Sequence, residues 1–236
     1  MKGIILAGGK GTRLRPATYL INKHLVPILN KPMVLYPLET LKSLGVKDIL
    51  IVSGGDHIGG FAEFLGDGST YGVNLTYRVQ TEAGGIAQAL GLASGFAAGQ
   101  SVAVILGDNV FDNSTFEGFT PGTLGYAHLF VKKVDDPERF GVLRSVRDDS
   151  DFEIIEKPID PKVTDMAVTG LYIYPNEVFA VVPSLKPSAR GELEITDVNN
   201  YFIKKRNYNI HEVRGFWSDA GTRESLKKTI DWAYGN

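Results

Sequence analysis

The chain contains no cysteine. That absence removes disulfide frameworks, thiol nucleophiles and every Cys-ligated zinc or iron-sulfur centre, and it fits a reducing, cytoplasmic setting. An excess of either charge is also missing. Twenty-five Lys and Arg against 27 Asp and Glu leave a net charge of −2 over 236 residues, so no global positive field exists to hold nucleic acid or an anionic membrane. Any anion site must be local. Long hydrophobic runs are lacking as well: Gly3-Ile4-Ile5-Leu6-Ala7 reaches Gly8 and Gly9 too soon for a signal peptide or a membrane span. Without secretion, the glycosylation-like patterns at Asn74-Leu75-Thr76 and Asn113-Ser114-Thr115 carry no meaning. No internal repeat and no Pro/Ser-rich linker interrupts the chain, which favours one domain over residues 1–236. Glycine, by contrast, is abundant: 27 residues, clustered in turns, suggest loops shaped around a ligand.

Short apolar runs at Gly3 to Ala7, Asp48 to Ser53, Leu75 to Val79 and Val102 to Leu106 end in small or polar residues, as buried strands do. Between them, helical patterns run over Val34 to Leu44, Ile58 to Leu65 and Gly85 to Ala98. This alternation predicts an α/β fold: a Rossmann-like, mostly parallel mixed sheet with helices on both faces. Its ligand crevice would lie beyond the carboxyl ends of the strands. The second half looks mixed, with strands expected at 124–132, 141–146, 153–156 and 168–174 and helices at 177–182 and 195–205.

The strongest local signal follows the first strand, at Gly8-Gly9-Lys10-Gly11-Thr12-Arg13-Leu14. A dinucleotide fingerprint needs glycine where Leu14 stands, and a Walker loop needs Ser or Thr directly after its lysine, where Gly11 stands. What remains is a glycine loop able to bring backbone N–H groups to a polyphosphate, followed by an arginine fork; a plain tight turn is the alternative. Lys23 and Lys31 lie in a proline-bounded loop, and spacing alone does not choose between them. Adjacent residues of a strand face opposite sides, so Glu156 and Lys157 are expected to serve different partners rather than each other. His24, His57, His128 and His211 form no metal-spaced pair and are read as structural.

The succession Gly8-Gly9-x-Gly11-Thr12-Arg13-Leu14-x-Pro16-x-Thr18, Lys23, Pro27 and Lys31-Pro32-Met33 resembles the sugar-nucleotide pyrophosphorylases. The resemblance continues through Leu65-Gly66-Asp67-Gly68-Ser69, Gln80, Gly85-Ile86-Ala87-Gln88-Ala89, Leu106-Gly107-Asp108-Asn109, Phe140-Gly141-Val142 and Glu156-Lys157-Pro158. Thr169-Gly170-Leu171-Tyr172, Arg190 to Asp197 and Trp217-Ser218-Asp219-Ala220-Gly221-Thr222 close it, so the likeness runs from Lys2 to about Ala233. Within that family it resembles the members acting on dTTP and glucose 1-phosphate.

The resemblance implies the nucleotide-diphospho-sugar transferase fold and a Mg²⁺-dependent in-line transfer of a thymidylyl group from dTTP to glucose 1-phosphate. Residues 1–110 would form a nucleotide-binding half and residues 111–236 a sugar-phosphate-binding half. It assigns the nucleotide to Leu6, Gly8, Gly9, Gly11, Thr12, Arg13, Lys23, Gln80, Gly85 and Asp108. Arg13, Lys23, Asp108 and Lys157 would be catalytic. Gly141, Glu156, Lys157, Tyr172, Arg190 and Trp217 would hold the sugar phosphate, and Asp108 and Asp219 the metal. The residues alone allow blander roles: Gln80 as a turn residue, Gly85 as a helix start, Lys157 solvated, Trp217 in the core, and Asp219 as cap of a helix starting near Thr222. His24 and Glu82-Ala83-Gly84-Gly85 depart from familiar relatives, and the end at Asn236 leads to the expectation of no separate feedback site. UTP or another hexose 1-phosphate is the nearest alternative substrate, and a non-catalytic sugar-nucleotide-binding regulatory protein is the rival from another class. The expected partners are small molecules, with no nucleic acid and no membrane, and a homo-oligomer is compatible with the resemblance.

Overall fold

The computed structural model describes residues 1–116, 118–120, 125–146 and 151–235. Its centre is the expected parallel array. Lys2–Leu6 lies between Val102–Leu106 and Asp48–Gly54, and Asn74–Gln80 pairs with the latter, all in parallel register. Period-two alternation splits the core between the two faces. Ile5, Ile49, Ile51 and Phe61 pack on one side under the helices Leu35–Ser43 and Ile58–Leu65. Ile4, Leu50, Val104 and Phe202 pack on the other under Ile86–Gly91, Val178–Val181 and Ile195–Lys204. Leu35, Leu38 and Leu41 give the first helix its buried stripe, and Gly45, at φ +75°, follows its end in the left-handed conformation that suits glycine.

The second half joins antiparallel through Met166–Tyr174, which pairs with Val102–Leu106 on one side. That same side forks, its earlier part meeting Gly141–Ser145 and through it Phe152–Glu156, while Ala127–Lys133 runs along the opposite side. The register shift between Val168 and Tyr172 places Gly170 at the fork. Gly170 must be bare there, because a Cβ would lie 2.6 Å from the Asn109 side chain.

Two expectations are corrected and one strand is added. The helix over 85–98 is two short helices, Ile86–Gly91 and Ser94–Ala97, interrupted at Leu92 and Ala93 directly after Gly91, a weak helix former. Tyr208–Glu212 is an additional strand, parallel to Ala127–Lys133. It is recruited by the free edge of its neighbour rather than by an apolar run of its own. The helix Arg223–Tyr234 is capped by Thr222 through a reciprocal pair with Ser225, so Asp219 is not its cap. The start of the expected strand at Leu124 lies outside the described residues. No helix among the described residues is long and apolar enough to cross a membrane.

Candidate active site

The carboxyl ends of the four parallel strands open on one crevice made of three cavities, and Asp108 lines all three. Asp108 follows the Val102–Leu106 strand, as a ligand crevice at the ends of parallel strands requires. One lobe, about 280 Å³, is walled by Leu6, Gly8, Gly9, Lys23, His24, Gln80, Gly85 and Glu192. A second is walled by Gly11, Thr12, Arg13, Lys23, Asp108, Asp219 and Gly221. The third holds Gly141, Glu156, Lys157, Tyr172 and Trp217, with Arg13 and Asp108 at the junction. All but one of the expected site residues therefore border this crevice. Arg190 is not among those walls; its half-exposed guanidinium is held by Glu194 at 2.8 Å and by Glu156 at 3.2 Å.

Local geometry explains the glycine loop. Gly9 has φ +95° and open space where a side chain would be, so its backbone is approachable from the cavity. Gly11, at φ +59°, packs so closely that a Cβ would meet Lys23 Cβ at 2.9 Å. The loop is thereby folded onto the lysine, and the Thr18 hydroxyl donates to the Gly11 carbonyl at 2.6 Å. Lys23 opens a tight turn capped by Asn22, and its ammonium donates to Asp108 Oδ2 at 2.5 Å. Lys31 is taken out of the contest, since it pairs with Glu39 at 2.6 Å over the Tyr36 ring.

His24 is fully buried beside this pair and within hydrogen-bond distance of Asn22 Oδ1. Burial and the neighbouring Lys23 charge lower its pKa to about 3, so it is a neutral imidazole at ordinary pH. Burial works against the Asp108 carboxylate, but the charge and hydrogen bond of Lys23, with the Asn109 hydrogen bond and other neighbours, together hold the Asp108 pKa below the usual value. Asp219 is shifted upward by burial and by the Asp108 charge, opposed by Arg139.

The wall around Gln80 and Gly85 is less free than expected. The Gln80 amide donates to Gln88 Oε1 at 2.6 Å, which fixes its plane before any ligand arrives. Gly85 is bare for a reason beyond a ligand: a Cβ would lie 2.5 Å from the Leu193 carbonyl oxygen. Hydrogen bonds from Leu193 N–H to the Gly84 carbonyl and from Ala87 N–H to the Leu193 carbonyl join the loop before Ile86 to the Arg190–Glu194 segment. Early and late parts of the chain thus interleave, with Glu192 reaching the lobe of Gln80 and Arg13 the lobe of Lys157.

The expectation that Glu156 and Lys157 avoid each other is overturned. The strand ends at Glu156, and Lys157 turns left-handed at φ +44°, which brings its ammonium within 3.2 Å of Glu156 Oε1. Glu156 Oε2 accepts from the Thr196 hydroxyl at 2.6 Å. Burial pushes the Tyr172 hydroxyl pKa up, so it faces the lobe as a neutral phenol. Trp217 is both core and wall: its ring is buried against Phe111 and Phe140, and it lines the third lobe beside Gly141 and Tyr172. Its indole N–H is committed to Asn109 Oδ1 at 2.8 Å.

Several residues escaped sequence reasoning. Asn109 is the hub, since its Oδ1 accepts from Trp217 and from Gly170 N–H while its amide donates to Asp108 Oδ1 at 3.1 Å. Its position directly after Asp108 was the available signal. Arg139 donates to Asp219 Oδ2 at 2.5 Å and to Asp136 Oδ2 at 2.6 Å; only the Asp136-x-x-Arg139 spacing hinted at half of this. His128 and His211, 83 residues apart, meet on neighbouring strands at 2.9 Å, away from the crevice.

A cation would find two carboxylates here. A Cβ built on Gly221 would lie 3.1 Å from Asp108 Oδ2 and 3.7 Å from Asp219 Oδ2, so both oxygens border the space that glycine leaves open. Among the described residues no third His, Asp or Glu joins them. Such a donor set suits Mg²⁺, which takes one or two protein carboxylates and completes its shell with phosphate oxygens and water.

A glycine loop, paired cations and carboxylates at the ends of parallel strands define a nucleotide-handling transferase site, and residues 2–231 match the model of the nucleotidyl transferase family. The chain belongs to that family. Similar proteins named glucose-1-phosphate thymidylyltransferase include one from Neisseria gonorrhoeae, 43% identical over 98% of this chain and 82% of its own length. A second, from Mycolicibacterium smegmatis, is 40% identical over 98% and 82%. A crystal structure from Bacillus anthracis, described as a candidate glucose-1-phosphate thymidylyltransferase in complex with sucrose, superposes with TM-score 0.90 at 47% identity, covering 99% of this chain and 95% of that one. A UDP-glucose pyrophosphorylase bound to UDP-glucose shares the fold, with TM-score 0.83 at 22% identity over 99% and 98%.

Proposed function

We propose that this enzyme transfers the thymidylyl group of dTTP to glucose 1-phosphate, giving dTDP-glucose and pyrophosphate. The observation that carries the reading is the convergence of three lobes on Asp108, which matches a reaction joining a nucleotide and a sugar phosphate at one phosphorus. Gln80, held in plane by Gln88, would meet the pyrimidine edge. The backbone of Gly8 to Gly11, with Arg13 and Lys23, would hold the triphosphate. Lys157 would hold the sugar phosphate, and Glu156 and Tyr172 the sugar hydroxyls.

In the reaction a phosphate oxygen of glucose 1-phosphate forms a bond to the α-phosphorus while the bond to the α,β-bridging oxygen breaks, and pyrophosphate leaves with the electron pair. The nucleophile is already ionised at neutral pH, so no general base is required. Neutral His24 adds no competing charge. The protein's contribution is alignment and charge placement, with Arg13 and Lys23 directed at the phosphoryl oxygens. Asp108 and Asp219 would hold Mg²⁺, which supplies charge neutralisation at the transferring phosphoryl group.

The test is pyrophosphate release from each of four nucleoside triphosphates against a panel of hexose 1-phosphates. The highest kcat/KM is expected for dTTP with glucose 1-phosphate. UTP should trail by only about 10- to 200-fold, because a single methyl group separates the two bases. Absence of pyrophosphate release with every pair would refute the reading.

A further inference from the structure

Both carboxylates of the proposed metal site already carry a protein cation. Lys23 sits on Asp108 at 2.5 Å, and it belongs to the triphosphate lobe described above. Arg139, on Asp219 at 2.5 Å, has no such assignment. Its guanidinium is forked. One arm holds Asp219 and the other holds Asp136 at 2.6 Å, with the side chain about a quarter exposed, at 26%. It borders the sugar lobe on one side and, on the other, a separate cavity lined by Lys133, Asp135, Asp136 and Lys228.

We infer that Arg139 is a placeholder cation: in the ligand-free enzyme its Asp219 arm stands in for the metal's charge, and metal entry requires that arm to let go. The inference rests on the proposed metal role of Asp108 and Asp219. Asp219 is mostly buried, lies near a second carboxylate, and borders the open space beside Gly221. Two such carboxylates left bare would repel each other, and Arg139 relieves that repulsion until a stronger cation arrives. Asp136 keeps the other arm tethered, so the released guanidinium stays at the rim instead of leaving. Asp136 and Asp219 thus share the charge of one guanidinium through its two arms, and the metal competes with Arg139 for Asp219. A ligand that displaces a bound group binds more weakly by the stability of the contact it breaks.

This competition makes two variants move in opposite directions, which a merely structural role would not do. Mn²⁺ binding to the nucleotide-free full chain can be followed by the loss of the free-ion electron paramagnetic resonance signal. Arg139→Met removes the competitor and should tighten Mn²⁺ binding about ten-fold. Asp136→Asn gives Arg139 wholly to Asp219 and should weaken Mn²⁺ binding by several-fold. Arg139→Lys, which keeps a charge, should return affinity toward wild type. Thermal melts of each variant confirm folding. Asp108→Asn serves as the control for the site itself. If it abolishes Mn²⁺ binding while Arg139→Met leaves the affinity unchanged or weaker, the placeholder role is overturned and the metal site stands. If Asp108→Asn leaves Mn²⁺ binding intact, the metal site reading falls and the placeholder role falls with it.

Discussion

Replacing Gly85 with alanine tests how the two halves of the site are joined. Gly85 sits at φ +97° and ψ 176°, a conformation essentially reserved for glycine. Alanine there costs about 1 to 3 kcal/mol in backbone strain alone. The added Cβ would also lie 2.5 Å from the Leu193 carbonyl oxygen and 2.8 Å from its nitrogen, both backbone atoms that cannot rotate away. Relief requires the Arg190–Glu194 segment to lift, loosening the two hydrogen bonds between Leu193 and residues 84 and 87, each worth about 0.5 to 1.5 kcal/mol. A total loss of about 2 to 6 kcal/mol follows, or a Tm drop of about 4 to 24 °C at ~2 to 4 °C per kcal/mol for a chain of this size. Gly84→Ala is the comparison. The atoms nearest its Cβ would be those of the flexible Gln88 side chain, at 2.9 Å for Cγ, so the melt should move far less. Because Gln88 holds Gln80, the KM for dTTP should rise instead. Differential scanning calorimetry and dTTP titrations separate the two. Equal melting temperatures for the Gly84 and Gly85 variants would refute the backbone bridge.

Asp108→Asn and Asp219→Asn should fold normally and lose at least about a hundred-fold in kcat, the effect of removing several kcal/mol of transition-state stabilisation; near-normal kcat at saturating Mg²⁺ would remove that residue from the metal site. Lys157→Ala should raise the KM for glucose 1-phosphate by about ten-fold or more, since a charge-assisted bond is worth about 1.5 to 3 kcal/mol, and leave the calorimetric dTTP affinity unchanged; the reverse pattern would reassign it. His24 is held neutral down to about pH 3 in the folded chain, whereas its unfolded imidazole takes a proton near pH 6.5. Wild type should therefore lose stability as the pH falls from about 6.5 toward 3, at up to about 1.4 kcal/mol per pH unit from this group. Urea melts of His24→Gln should show a shallower fall over that window, and identical slopes would show that His24 is not held neutral.

Much of the molecule is legible in the sequence because period and punctuation are local properties. The four parallel strands, the helix Leu35–Ser43 and the glycine loop each carry their signal within a dozen residues. The order of motifs is equally local, which is why the family resemblance reaches from Lys2 to Ala233 without any coordinates. What tertiary structure decided are pairings across long stretches of chain. Arg139 meets Asp219, Asn109 meets Trp217, and His128 meets His211 because neighbouring strands and loops bring them within 3 Å, although 80 or more residues separate each pair. Lys157 turned toward Glu156 because it lies just past the strand's end at Glu156, where the backbone turns left-handed and period-two alternation no longer applies. Gly85 is a glycine because the Leu193 backbone passes beside it, a contact that no spacing within residues 80–90 encodes. Local sequence wrote the elements and named the chemistry; the packing of one half against the other determined which cation sits on which carboxylate.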